Sequence, residues 1–249
     1  MKKLNWRVKF GLALVAVSGV LLYAHSVAFH DTPMHEWGLF FLTHEIALMP
    51  LEVLVVTLVI HSLLERREHE EKMHKLNMVI GAFFSEVGDE LLRRASEIDE
   101  TVQVREHFLV NDTWNARRYA TAQAAITSYD FDLRASATDL EGLARFTVEK
   151  RSFLLGLLQN PNLLEHETFT NALWAVFHLA EELSFREGFT DLPESDIAHL
   201  NGDLRRAYAA IAVEWLDHVR HLQKEYPYLF SLAVRRNPLD RNASVVVTG

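Results

Sequence analysis

Apolar positions in the first 64 residues form two nearly unbroken runs, whereas beyond residue 64 they recur every three or four positions on a polar background. The two runs, Phe10 to Phe29 and Trp37 to Leu64, each reach the ~20 residues that a helix rising ~1.5 Å per residue needs to cross a hydrocarbon layer of ~30 Å. The pattern predicts an all-α protein: a two-span transmembrane helical hairpin over residues 1–64, a cytosolic α-helical bundle over 65–236 and a flexible tail over 237–249.

The second span has no Pro after Pro50, and its helix is expected to run on to about Arg94, with bends at Gly81 and Gly88. Further helices are predicted over 98–110, 113–129, 137–159, 163–186, 194–226 and 228–235. Asp112 is the expected N-cap of the second of these, Ser136 with Asp139 a capping box, Asn160-Pro161 a stop, and Pro193 a start.

Charge sharpens the division. Within residues 1–64 the four bases Lys2, Lys3, Arg7 and Lys9 balance the four acids Asp31, Glu36, Glu45 and Glu52, so the rest of the chain carries the whole net charge of −9. An acidic domain lacks the basic footprint that phosphate backbones require, which excludes nucleic acid as the expected partner. The chain contains no cysteine, so disulfides, thiolate metal sites and cysteine nucleophiles are ruled out. Bases precede the first run, and Arg66, Arg67, Lys72 and Lys75 follow the second, whereas His30 to Glu36 contains none. The positive-inside rule then puts both termini in the cytoplasm, in a membrane of the bacterial inner-membrane type. The start at Met1 and the poor cleavage site around Tyr23 to Ser26 are expected for an uncleaved anchor.

The residues that carry chemistry lie inside the second run. Glu52 falls near its middle, and an acid at the centre of a span costs ~2.5–3.5 kcal/mol on insertion scales. Glu45 precedes it by seven positions, which at ~100° per residue is ~20° short of two turns, so both carboxylates share one face. Folding the hairpin about residue 33 sets Glu52 level with Leu14 and Glu45 level with Leu21, so nothing in the first span neutralises them. Glu45, Glu52, His44 and Pro50 are therefore the expected lining of an ion pathway, since acidic rings build cation-selective pores and Pro50 frees a backbone carbonyl. A protonated glutamate bonded to a neighbouring helix is the alternative. His25, His30, Asp31, His35 and Glu36 are the expected outer mouth, a mixture suited to weak cation or proton binding.

In the cytosolic part, helical spacings relate Glu71 to His74, His178 to Glu182, Glu214 to His218, and His218 to His221. Surface pairing is the simplest reading of each, no cofactor is expected, and any metal ligand set is left open. His178 lies in an apolar stretch and is expected to be buried. Gly-x-Ser-x-Gly, the phosphate-binding loop, Gly-x-Gly-x-x-Gly and His-Glu-x-x-His are all absent, so no enzyme is expected. The architecture is similar to the two-span hairpin of the mitochondrial calcium uniporter, but its Trp-Asp-x-x-Glu-Pro run is missing and no family is implied. Two functions follow as expectations: a homo-oligomer in membrane lipid that conducts cations along the second span, or a membrane-anchored helical sensor or adaptor that binds a cytosolic protein.

Overall fold

The computed structural model describes residues 6–29, 37–99 and 105–246. Among these every regular element is helical, apart from an isolated bridge between Asp99 and Leu133. The chain divides into two compact units, Met1–Glu71 and Lys72–Gly249.

The first unit pairs α1 (Trp6–Ala28) with the leading part of α2 (Trp37–Phe83). The pairing is antiparallel. Ser18 Oγ donates to the Ala47 carbonyl at 2.7 Å, and a Cβ on Gly11 would meet Leu54 at 3.6 Å. These contacts set a register one residue away from the fold about residue 33. Gly11 and Ser18 lie two turns apart on one stripe of α1, where small side chains let the backbones approach. Lys9–Ala28 and Phe41–Ile98 are long and apolar enough to cross a membrane, by length and composition. Away from the pairing stripe most of the surface is apolar, with Phe10, Val20, Ile46, Val53 and Leu58 each more than half exposed.

The second unit is a bundle around α7 (Glu194–Glu225). Preceding α7 are α3 (Asp89–Ile98), α4 (Ala116–Ser128), α5 (Ala137–Leu158) and α6 (Glu167–Ser184); α8 (Pro227–Arg235) follows it. Helices α3, α4, α6 and α8 pack on α7, and α5 packs on α6. α7 takes the centre because Leu200, Leu204, Ala207, Tyr208, Ile211, Trp215, Val219 and Leu222 recur at three and four positions and are all buried. Aromatic rings lock the layers edge to face, Phe83 against Phe169 at 5.4 Å and Phe131 against Tyr208 at 4.8 Å.

Several helix ends match the expected punctuation. Ser136 and Asp139 form a complete capping box, and Asn160 caps the short 3-10 turn that opens with Pro161. Others differ. The helix expected over 98–110 is absent among the described residues: α3 stops at Ile98, and Arg105–Phe108 is a single 3-10 turn. Asn115, not Asp112, caps α4 by accepting from the Arg118 N–H, because Asn111 and Asp112 belong to the preceding loop. The bundle also reaches beyond residue 236: Asn237 Nδ2 donates to the Phe108 carbonyl at 2.6 Å and Leu239 is buried.

Between α2 and α3 the helix widens into a π turn, Phe84–Gly88, and the adjacent Phe83 and Phe84 are both buried. A Cβ at Gly88 would sit 2.5 Å from Phe84 Cδ1 and 2.9 Å from Phe83 Cε1. Alanine is better than glycine in a helix by ~1 kcal/mol, but overpacking costs ~1–3 kcal/mol here because both rings are buried and already packed, Phe83 against Phe169 and Phe84 against His218. Gly88→Ala is therefore expected to lower the melting midpoint followed by helical circular dichroism. An unchanged or raised midpoint would show that the rings yield freely.

Candidate functional site

In the first unit, the side of α2 that meets α1 is defined by Thr43, Ala47 and Leu54. Thr43 Oγ1 lies 2.9 Å from His25 Nδ1, Ala47 accepts from Ser18, and Leu54 faces Gly11. Relative to Ala47, Glu45 and Glu52 are rotated roughly 140–160° about the helix axis. Both are exposed. The two carboxylates therefore share the face turned away from α1, while Ser18 and His25 of α1 are engaged inside the pair.

The other residues assigned to the pathway do not join that face. His44 and Pro50 are half-buried, and the His44 ring lies 5.3 Å from that of His25. His25, expected at an open mouth, is 9% exposed and turned toward Thr43. His30, Asp31, His35 and Glu36 lie outside the described residues. His61 pairs with Glu65 one turn on, at 3.0 Å.

The second unit contains a cleft, largely apolar in its lining but set with ionisable side chains, of which the sequence indicates only fragments. A cavity of 680 Å³ is lined by Asn77, Tyr119, Glu214, Asp217, His218 and His221 among others. A second, of 360 Å³, is lined by His74, Asp89, Trp215, His218, His221 and Arg236 among others. The shared wall is α7, whose Glu214, His218 and His221 come round at three- and four-residue intervals and so project from one side. Asn77 on α2 lies 3.4 Å from His221 Nδ1. His74, His218 and His221 are thus gathered at one cavity, whereas Glu214 bonds Thr168 on α6.

Burial dominates the electrostatics of this cleft. Loss of hydration raises the Asp89 carboxyl to about 6, against the opposing pull of Arg236 and a hydrogen bond from Trp215. The same cause pushes His218 down to about 4, with His221 adding to the effect, and lifts Tyr119 to about 12 against Arg220. Glu214 is raised by burial, countered by Thr168 and His166, and His221 is lowered by burial, countered by Glu225. Asp89 Oδ1, His218 Nδ1 and the Tyr119 hydroxyl are buried without a hydrogen-bond partner. Near neutrality the His218 imidazole is uncharged, and Asp89 changes charge within reach of physiological pH. Such a cleft suits a small polar or amphipathic ligand, or an exchangeable proton, better than a highly charged one.

His178 departs from its expected burial. Its side chain is 48% exposed and Nε2 lies beside Asp203 of α7, because Leu173, Val176, Leu179, Ala180 and Leu183 supply the buried face of α6 and leave His178 on its margin.

The fold and these sites define an all-helical protein of two units, an apolar helix pair with an acidic face and a bundle with a cleft of buried ionisable groups against its central helix. The chain belongs to the family of MJ1433. The family description "Uncharacterized protein MJ1433, C-terminal helical domain" matches residues 72–235, and "MJ1433, N-terminal helical domain" matches residues 2–64. Uncharacterized protein MJ1433 of Methanocaldococcus jannaschii is 42% identical over 208 residues, which cover 84% of this chain and 83% of that protein. No solved structure matches the chain.

Proposed function

We propose that the chain is an integral membrane protein that assembles with copies of itself around the acidic face of α2 and conducts cations along it. The observation that carries this reading is the exposure of both Glu45 and Glu52 on the face turned from α1. In lipid, two carboxylates in register on an uncovered face are strongly disfavoured, and neighbouring copies that bring them around water remove that cost. One further feature supports it: the helix pair is apolar on its other faces, as a membrane-embedded surface must be. The basic residues flanking the two helices orient both termini toward the cytoplasm.

The test is cation flux into liposomes containing the purified protein. Flux above that of empty liposomes is the expected result, and none across a range of pH, calcium and voltage would contradict the reading.

A second reading has its own observation. The cleft beside α7 holds Asp89 and His218 with strongly displaced proton affinities in cavities large enough for a ligand, which favours a membrane-anchored sensor or adaptor over a passive assembly domain. The absence of flux combined with a pH-dependent partner would select it.

A further inference from the structure

Helices α6 and α7 each carry a histidine followed, one turn later, by a carboxylate: His178 with Glu182, and His199 with Asp203. Positions four apart share a helix face. Because α6 and α7 pack antiparallel, the histidine of each helix meets the carboxylate of the other. His178 Nε2 is 3.3 Å from Asp203 Oδ2, and His199 Nε2 is 3.4 Å from the same oxygen and 3.7 Å from Glu182 Oε2. Donor atoms of His178, Glu182 and Asp203 all lie within 4.8 Å of one another.

These separations are long for charge-assisted hydrogen bonds, which run to ~2.7–2.9 Å. The two histidine-to-Asp203 separations match the edge of a tetrahedron, ~3.3–3.6 Å, around an ion with bonds of ~2.0–2.2 Å, whereas His199 is 3.7 Å from Glu182 and stands outside the close trio of His178, Glu182 and Asp203. A second observation is independent of that spacing. Asp203 is 2% exposed, yet its Oδ2 is buried without a hydrogen-bond partner and points at both imidazoles. A buried carboxylate oxygen left in this way is costly unless a positive group completes it.

The surroundings orient the carboxylates. Arg206 donates to Asp203 Oδ1 at 2.8 Å, leaving Oδ2 free to face the histidines. Arg186 donates to Glu182 Oε2 at 3.0 Å and is itself held by both oxygens of Asp196, at 2.6 and 2.8 Å. Supporting hydrogen bonds of this kind fix ligand direction at metal sites. The imidazoles are half exposed, His178 at 48% and His199 at 52%, so an ion can enter from solvent and keep a position open to water.

We propose that His178, Glu182 and Asp203, joined by His199 when its imidazole turns in as the fourth donor, bind one divalent first-row transition-metal ion, of which Zn²⁺ fits best, clamping α6 to α7. Two nitrogen and two oxygen donors without thiolate suit Zn²⁺ and its neighbours, whereas Mg²⁺ and Ca²⁺ favour oxygen alone. The site is separate from the acidic face of α2 and from the cleft lined by His218, and it stands whether or not the protein conducts ions.

The experiment uses the full chain without an oligohistidine tag, purified in detergent and stripped with a chelator. Titration with Co²⁺, followed by its visible absorption, and with Zn²⁺, followed by elemental analysis, is expected to give one ion per chain. Zn²⁺ is also expected to raise the melting midpoint. His178→Gln and His199→Gln, at half-exposed positions, are expected to fold normally, to weaken binding at least tenfold and to lose the Zn²⁺-dependent rise. Asp203→Asn is expected to have the largest effect, and the two histidine variants keep the test valid if that variant fails to fold. The proposal is overturned if neither Co²⁺ nor Zn²⁺ binds, or if binding and the thermal shift persist unchanged in both histidine variants.

Discussion

Replacing Glu52 with glutamine is expected to cut cation flux through the reconstituted protein at least tenfold, with Glu45→Gln giving a smaller reduction. Glutamine keeps the shape of the side chain and removes its charge, so the change reports on electrostatics alone. A ring of carboxylates concentrates cations by one to three orders of magnitude and replaces part of their lost hydration. Glu52 sits nearer the middle of the apolar stretch than Glu45, where water is scarcest and the charge acts over the lowest dielectric. Glu52→Leu is expected to abolish flux while leaving the helix pair folded, since the desolvation cost leaves with the acid. Unchanged flux and selectivity in both glutamine variants would remove the carboxylates from any pathway.

The second large effect concerns pH. Asp89 is raised from 3.8 to about 6, so the folded protein binds its proton more tightly than the unfolded chain, and this group's cost appears as pH rises from 4 to 6. His218 is lowered from 6.5 to about 4, so the unfolded chain binds that proton more tightly, and its cost appears as pH falls from 6.5 to 4. At about 1.4 kcal/mol per tenfold change in proton affinity, each amounts to roughly 3 kcal/mol. The two oppose each other across the same interval, so the wild type hides both. Asp89→Asn is expected to stabilise the protein at pH 8 and to lose that advantage at pH 4. His218→Gln is expected to show the reverse. Melting midpoints at the two pH values would settle the matter, and parallel curves for wild type and both variants would contradict it.

What could be read from the residues depended on how local the determining physics was. The apolar runs, the Ser136 and Asp139 capping box and the stop at Asn160-Pro161 are properties of a few neighbouring positions, and they survive into the structure. The common face of Glu45 and Glu52 likewise follows from helix geometry alone. The rest required packing between elements. Nothing around Asp89 or Tyr119 marks them as cleft residues, because Asp89 is covered by α7 and α8, and Tyr119 by α7 and Trp114. His178 lies in an apolar stretch that suggested a core position, yet one helix face cannot hold every residue of such a run. His199 and Asp203 carry no signal singly; the legible one is the same His-to-carboxylate interval on two consecutive helices.

The proposed covering of the exposed α2 carboxylate face by other copies of the chain is open to direct measurement through the mass of the intact protein. Native mass spectrometry in mild detergent and, separately, in lipid discs is expected to show one discrete homo-oligomer. A purely monomeric species in both media would contradict it.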